Sequence, residues 1–174
     1  LAPGKTDEYL ALTGYQAGNQ NAITYIPVFR LDWLENVGIN PNGSLEQIDE
    51  EGRIFVTQEP FTKSQFTQIM ELFTKDDPDK NGKDDTLGMT AGGRNQFFWQ
   101  PVYGMFGFQE GASVNENGNA VEYYVSNNYK EFLKYANYLY KEGYLDIEIP
   151  TLDTGKAFEK CAVNRVGFCG SSAL

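Results

Sequence analysis

Lys75-Asp76-Asp77-Pro78-Asp79-Lys80-Asn81-Gly82-Lys83-Asp84-Asp85-Thr86-Leu87-Gly88 is the stretch on which the reading of this chain turns. Counted from Asp77, side-chain oxygens fall at positions 1, 3, 5 and 9 (Asp77, Asp79, Asn81, Asp85), and Gly82 sits at position 6. That is the phase of an EF-hand-type calcium loop, in which alternate oxygens turn toward one centre and a glycine allows the sharp bend. The carbonyl of Lys83 would supply the position-7 oxygen. Position 12 is Gly88, where an EF-hand carries a bidentate Glu, so water, a second oxygen of Asp85 or the Thr86 hydroxyl would complete the shell. Asp, Asn, Gly and Pro also make ordinary solvated turns. The agreement in phase between the glycine and the oxygens favours a structural calcium ion.

Working outward, the acidic loop joins a helix to a strand. Upstream, Thr62 and Gln65 make a capping box, with Phe61 and Phe66 at the staple positions. Phe66, Ile69, Met70 and Phe73 follow as the buried stripe of that helix. Downstream, Thr86 to Thr90 reads as a short strand. Ile23 to Phe29 is another strand; Pro27 removes a ladder donor, which predicts a sheet edge or a bulge there. A short helix with Leu31, Leu34 and Val37 stops at Gly38, residues 39–52 read as loop, and Arg53 to Thr57 as a brief strand. Past the acidic loop lies an aromatic cluster of Phe97, Phe98, Trp99, Tyr103, Phe106 and Phe108. Asn117-Gly118 signals a hairpin between strands near 112–115 and 120–125. Ser126 caps a helix over 127–142, with Tyr129, Phe132, Leu133, Ala136, Leu139 and Tyr140 on one face and Gly143 as its stop. A short helix over 153–160 precedes a buried strand from Val163 to Gly170. Strands alternate with helices, so the expected class is α/β, a mixed sheet flanked by helices. Residues 1–22, polar and Gly-rich, read as a linker or hinge-proximal segment, and 23–174 as the α/β lobe.

Composition removes several functions. The 174 residues suffice for one real core, and 41% hydrophobic residues with 12 Phe and 11 Tyr argue against disorder. The net charge of −10 would repel nucleic acid and acidic lipid surfaces. There is no histidine, which removes Ser-His and Cys-His catalysis and the usual zinc sites. No apolar run is long enough to span a membrane, and the stretch reads without a signal peptide. Starting at Leu1 and ending just after a predicted strand, the chain reads as a segment of something longer. Cys161 and Cys169 flank an apolar run; a disulfide and two buried free thiols fit the sequence equally.

Four pieces, in this order, resemble the extracellular solute-binding proteins (family 1) of ABC importers, closest in look to the branch of alginate- and other oligosaccharide-binding lipoproteins. Arg30-Leu31-Asp32-Trp33-Leu34-Glu35-Asn36-Val37-Gly38 is similar to that family's R-x-D-W-L-x-x-x-G segment. Lys75 to Gly88 resembles its calcium loop. Tyr129 to Gly143, followed by Tyr144-Leu145-Asp146-Ile147-Glu148, resembles a characteristic helix and turn. Phe158 with Val166-Gly167-Phe168 resembles its F-x-x-G-k-v-G-m strand. The resemblance covers roughly residues 20–172. Residues 40–60 are longer than the family usually has there, Pro27 interrupts the crossing strand, and Thr86 stands where some relatives have a further acidic ligand. It implies one lobe, the second, of a periplasmic-binding-protein-like fold. It further implies a monomeric, extracytoplasmic receptor, lipid-anchored in full length, that hands a sugar or oligosaccharide to a membrane permease and does no chemistry.

In open α/β sheets ligands sit beyond the carboxyl ends of strands. That points to the loop after Met89, with Arg94, Asn95 and Trp99, and to the loop after Phe168, with Ser171 and Ser172. An aromatic face with a few polar groups suits a sugar ring. Core packing for Trp99 and solvation for Arg94 are the competing readings. The alternative function is a calcium-stabilised extracellular structural or adhesion module, although such modules usually repeat. A glycosidase would rest on carboxylates alone, such as Glu110 and Glu122, whose separation the sequence does not give.

Overall fold

Val166-Gly167-Phe168-Cys169-Gly170 is apolar and small by turns, as a strand covered by other elements must be, and it becomes the middle of the main sheet. The computed structural model describes residues 25–92, 98–107, 112–114 and 120–172. Strand β1 (Tyr25–Phe29) leads to helix α1 (Leu31–Asn36), a small hairpin β2 (Glu46–Gln47) and β3 (Phe55–Val56), helix α2 (Lys63–Lys75) and strand β4 (Leu87–Met89). Helix α3 (Gln100–Tyr103) runs into a 3-10 turn at Gly104–Phe106. Strands β5 (Ala112–Val114) and β6 (Ala120–Glu122) come next, then a 3-10 turn at Tyr123–Val125 and helix α4 (Asn127–Lys141). Helix α5 (Thr154–Ala162) and strand β7 (Val166–Ser172) follow.

The main sheet is mixed, in the order β1-β7-β4. Strand β7 pairs antiparallel with β1, Val28 opposite Cys169 and Phe29 opposite Phe168. It pairs parallel with β4, Met89 opposite Phe168. Pro27 lies on the edge strand, where its missing N–H interrupts no inner ladder. Gly167 is required by its neighbours: a Cβ there would lie 2.1 Å from Phe73 Cδ2 and 2.6 Å from Trp33 Cε3. These two rings, edge to face at 5.4 Å, close directly over the strand backbone.

Helix α2 starts as its sequence specifies. Thr62 Oγ1 accepts from Gln65 N at 3.2 Å, and Thr62 N donates to Gln65 Oε1 at 2.9 Å. Phe66, Ile69, Met70 and Phe73 are all buried. Phe61 reaches Phe66 through Phe29, whose ring lies 5.2 Å from the first and 6.1 Å from the second. Gly88 lets β4 press against that helix, since a Cβ would stand 2.9 Å from the Met70 carbonyl oxygen. Ser126 caps α4 by accepting from Tyr129 N at 3.1 Å, and Asp153 caps α5 by accepting from Lys156 N at 2.9 Å.

Several expectations need correction. On α4 the buried residues are Phe132, Tyr135 and Leu139, while Leu133 and Tyr140 are exposed. The face is turned by one residue, and Tyr135 is tolerated inside because its hydroxyl meets the Thr67 hydroxyl at 2.7 Å. The stretch 39–52 is not all loop, because Glu46–Gln47 pairs with Phe55–Val56. The last strand starts at Val166 rather than Val163: Val163 is exposed, and Asn164 turns the chain with φ 64°. That strand runs on to Ser172, so Ser171 and Ser172 stand in β7, opposite Ile26 and Tyr25, and not in a loop. The second hairpin strand ends at Glu122, and Tyr123–Val125 is helical. The turn residues Asn117 and Gly118, like Phe97, Phe108 and residues 1–22, lie outside the described residues.

Candidate solute and cation sites

The acidic loop is built on left-handed corners. Asp77 has φ 47°, Lys80 φ 55° and Gly82 φ 76°. The first two carry a side chain in a conformation that strains most residues, and Gly82 takes it without strain. These corners wind the chain around Asn81. Its Nδ2 donates to Asp79 Oδ2 at 2.9 Å and to Asp85 Oδ1 at 3.0 Å. Its backbone N donates to Asp77 Oδ1 at 3.1 Å, and the Gly82 backbone N donates to Asp77 Oδ2 at 2.9 Å. Lys83 is exposed and donates its backbone N–H to Asn81 Oδ1 at 2.7 Å. Asp79 and Asp85 thus meet at the Asn81 carboxamide, and Asp77 at the backbone N–H groups of Asn81 and Gly82.

Asp77, Asp79 and Asp85 each accept a hydrogen bond from Asn81, and carboxylate and amide oxygens are the donor type a hard cation takes. As placed, the carboxylates turn to N–H groups, and among the described residues no three acidic or cysteine side chains form a metal-holding cluster. Thr86 is not a candidate ligand. It is buried, and its hydroxyl donates to the Phe73 carbonyl oxygen at 2.9 Å, closing the end of α2.

Residues far away in sequence hold this loop. Asn36 Nδ2 donates to the Pro78 carbonyl at 2.7 Å, and Pro78 is fully buried. Asn164 Nδ2 donates to Asp79 Oδ2 at 3.3 Å, and Arg165 Nε to the Asp85 carbonyl at 3.2 Å. Arg30, which lies over the Trp33 ring and is paired with Asp32, also donates to Asn164 Oδ1. The Asp32 carboxyl is held below its ordinary value, chiefly by the hydrogen bond from Arg30. The loop is thus fastened to α1 and to the turn entering β7. No signal in the sequence pointed to Asn36, Asn164 or Arg165.

Parallel pairing of β4 with β7 sends both chains out of the sheet in one direction. Beyond Met89 come Thr90, Ala91 and Gly92, all buried. Gly92 lies against α5, where a Cβ would stand 2.5 Å from Thr154 Cα. Trp99 begins α3, partly buried, its ring edge to face with Phe132 at 5.5 Å. Phe98 beside it is fully buried against Phe158. Trp99 therefore shares in the core while keeping part of its surface outside. Arg94 and Asn95 lie outside the described residues, and Ser171 and Ser172 stand on β7 at the same end of the sheet.

Under this region lies an ion pair that sequence reading missed. Thr90 Oγ1 donates to Asp146 Oδ2 at 2.8 Å, and Lys160 Nζ reaches the same oxygen at 2.6 Å and also Glu148. Asp146 is 2% exposed. Burial pushes its carboxyl up, but Lys160, the Glu148 amide and Thr90 outweigh it and hold the group below the ordinary value. Burial likewise lowers Lys160, and its two carboxylate partners raise it further than burial lowers it.

No protein-family model matches the chain. Among curated proteins it is 29% identical to Lipoprotein LipO of Bacillus subtilis (strain 168) over 133 residues, covering 74% of this chain and 23% of that protein. It is 27% identical over 146 residues to the polygalacturonan/rhamnogalacturonan-binding protein YtcQ of the same organism, covering 80% and 24%. The chain thus spans about a quarter of the length of these relatives. Among solved structures, the S. pneumoniae ABC-transporter substrate-binding protein FusA in complex with kestose superposes with TM-score 0.65 at 20% identity, over 86% of this chain and 28% of FusA. A FusA EF-hand mutant in complex with fructo-nystose gives 0.61 at the same identity and coverage. The alginate-binding protein AlgQ2 without calcium ion gives 0.61 at 16%, over 86% and 27%. These solved structures are of binding proteins. The chain carries the fold of part of an ABC-transporter solute-binding protein.

Proposed function

We propose that residues 23–174 form one lobe of an extracytoplasmic, lipid-anchored solute-binding protein, with 1–22 leading to its hinge, and that the whole protein captures an oligosaccharide for an ABC-importer permease. The observation that supports this reading is the sheet, in which β4 and β7 run parallel and leave at one end; Trp99, later in the chain than β4, is only partly buried. In open α/β sheets that end takes the ligand. Arg94, Asn95, Ser171 and Ser172 are the polar partners proposed for the sugar hydroxyls, and Trp99 the ring platform. The relatives' sugars, from polygalacturonan to kestose, support the substrate class. Solute exchange involves no bond-making, so no group of this chain needs to act as acid, base or nucleophile.

The test is calorimetric titration of the full-length protein with galacturonan, fructan and alginate oligosaccharides. Binding to one class is expected, and Trp99→Ala should weaken it at least tenfold, about 1.4 kcal/mol. Turnover of any of them, or no binding across the panel, would sink the reading; unchanged affinity in folded Trp99→Ala would return Trp99 to the core alone.

Calcium, held by Asp77, Asp79, Asn81, Asp85 and the Lys83 carbonyl, is proposed as structural and remote from the solute. An ion neutralises three carboxylates that otherwise repel. Saturating the site a hundredfold above its dissociation constant stabilises the folded state by about 2.7 kcal/mol. Magnesium should do less, since it demands a tighter octahedron. Identical melting with calcium, magnesium and chelator, together with no calcium heat, would leave a plain acidic turn.

A further inference from the structure

Helix α5 touches the segment that follows β4 at both of its described ends. Where the chain leaves the strand, Gly92 is buried against α5, with the position of a Cβ 2.5 Å from Thr154 Cα. Just before α3, the Phe98 ring is fully buried and meets Phe158 of the same helix at 5.0 Å. Residues 93–97 fall between these two contacts and outside the described residues. Trp99, proposed above as the ring platform, comes directly after Phe98. Where α5 sits therefore governs where the chain enters this segment, where it leaves it, and how α3 begins.

Apolar contact alone holds a helix loosely in register, because it has no preferred direction. Lys160, in the last turn of α5, supplies the direction. Its Nζ donates to Asp146 Oδ2 at 2.6 Å and also to Glu148. The same Asp146 oxygen accepts from Thr90 Oγ1 at 2.8 Å, while Asp146 Oδ1 accepts from the Glu148 backbone N at 3.0 Å. The Asp146 backbone N donates to the Met89 carbonyl at 3.0 Å, and the Met89 N to the Tyr144 carbonyl at 3.2 Å. One carboxylate thus joins the end of β4 to the end of α5. Thr90 is fully buried and Asp146 is nearly so. Hydrogen bonds between charged groups are short and demand one geometry, which is what packing lacks.

We propose that Lys160 is a positioning residue for solute binding: through Asp146 it locks α5 to the end of β4, and α5 in turn sets the place of Trp99. The proposal rests on the reading of Trp99 as the platform for a sugar ring. Lys160 acts through Asp146, and no contact with solute is assigned to it. A platform helps binding only when it is already in place before the ligand arrives. Without the cation, the buried Asp146 carboxylate takes up a proton or draws in water. Either change alters its bond to Thr90 and releases the last turn of α5. Phe158 and Phe98 then settle in a new position, and Trp99 moves with its neighbour.

The test joins sugar titration to fluorine NMR on the full-length protein labelled with fluorotryptophan. The two resonances are assigned by Trp99→Phe and Trp33→Phe. Trp33, fully buried beside Phe73, is the internal control. In folded Lys160→Met, the oligosaccharide that the unaltered protein takes should bind about fivefold more weakly. The Trp99 resonance should move or broaden while that of Trp33 stays. Lys160→Arg, which keeps the cation, should restore both affinity and resonance. Thr90→Val keeps the volume and the ion pair and removes only the hydroxyl. It should give a smaller change of the same kind, and it decides the matter if Lys160→Met does not fold. Unchanged affinity, or an unchanged Trp99 resonance, in a folded variant would overturn the proposal. Equal movement of both tryptophans, the mark of general loosening, would do so too, as would failure of Lys160→Arg to restore either readout. The resonances are read without sugar, so the two readings fail separately. A protein that takes no oligosaccharide sinks the earlier reading, while Trp99 still reports whether Lys160 places it. Sugar binding that ignores both Lys160 and Thr90 sinks this proposal alone.

Discussion

Gly167 carries the chain past two aromatic rings with no room for a methyl group, since the position of a Cβ lies 2.1 Å from Phe73 and 2.6 Å from Trp33. Both rings are fully buried, so neither can swing into solvent. Gly167→Ala is therefore expected to destabilise by about 1–3 kcal/mol through overpacking. The denaturation midpoint in urea measures it, and an unchanged midpoint would mean that Phe73 does not cover the strand. At this scale the sequence is legible where partners are close along the chain. The oxygens and glycine of Asp77 to Asp85 could be read because their phase is local. Asn36 and Asn164, which also hold that loop, could not, because they lie 42 and 85 residues from their partners. Nothing in an asparagine's neighbourhood tells which distant carbonyl or carboxylate it will meet.

Among the elements, α4 shows how far an amphipathic pattern can be trusted. Its existence, its Ser126 cap and the burial of Phe132 and Leu139 follow from periodicity, whereas the detail of its face does not. Tyr135 is buried although it is polar, and Leu133 is exposed although it is apolar, because the packing partner supplies a hydroxyl for the first and no surface for the second. Leu139, fully buried, should lose about 2–5 kcal/mol on change to Ala. Leu133→Ala should change stability by less than about 0.5 kcal/mol, as surface changes do. Chemical denaturation of the pair checks the register, and equal losses would contradict it. Strand β7 shows the opposite case: Gly170-Ser171-Ser172 has little strand propensity, and backbone pairing with β1 decides its conformation.

The junction of β4, the turn after α4 and helix α5 gives a pH dependence. Asp146 titrates lower when folded than when unfolded, so the unfolded state binds its proton first as the pH falls. Its contribution to stability is complete above the unfolded carboxyl value, roughly pH 4, and is lost as the pH falls from there through the lower folded value. Unfolding midpoints at pH 5 and pH 3 should differ more in the unaltered protein than in Asp146→Asn; the same difference in both would remove Asp146 from the account. Lys160→Met, which leaves the carboxylate buried with no cation, should destabilise by about 3 kcal/mol at neutral pH.

Across the whole molecule, the acidic loop is expected to assemble late, and this bears on when the proposed calcium ion would act. Its fasteners join residues 42, 80 and 85 positions apart, from α1 to the turn entering β7. Contacts of such separation come after local helices and turns, because loop closure opposes them until the core has formed. Interactions absent from the transition state change the unfolding rate and leave the folding rate alone. Calcium should accordingly slow unfolding, by about a hundredfold if it contributes about 2.7 kcal/mol, with refolding nearly unchanged. Stopped-flow unfolding with and without chelator measures this; an effect confined to refolding would place the loop in the nucleus instead. Fasteners of this separation, tying residues 78–85 to Asn36 on one side and to Asn164 and Arg165 on the other, are expected to lengthen the life of the folded state more than they speed its formation.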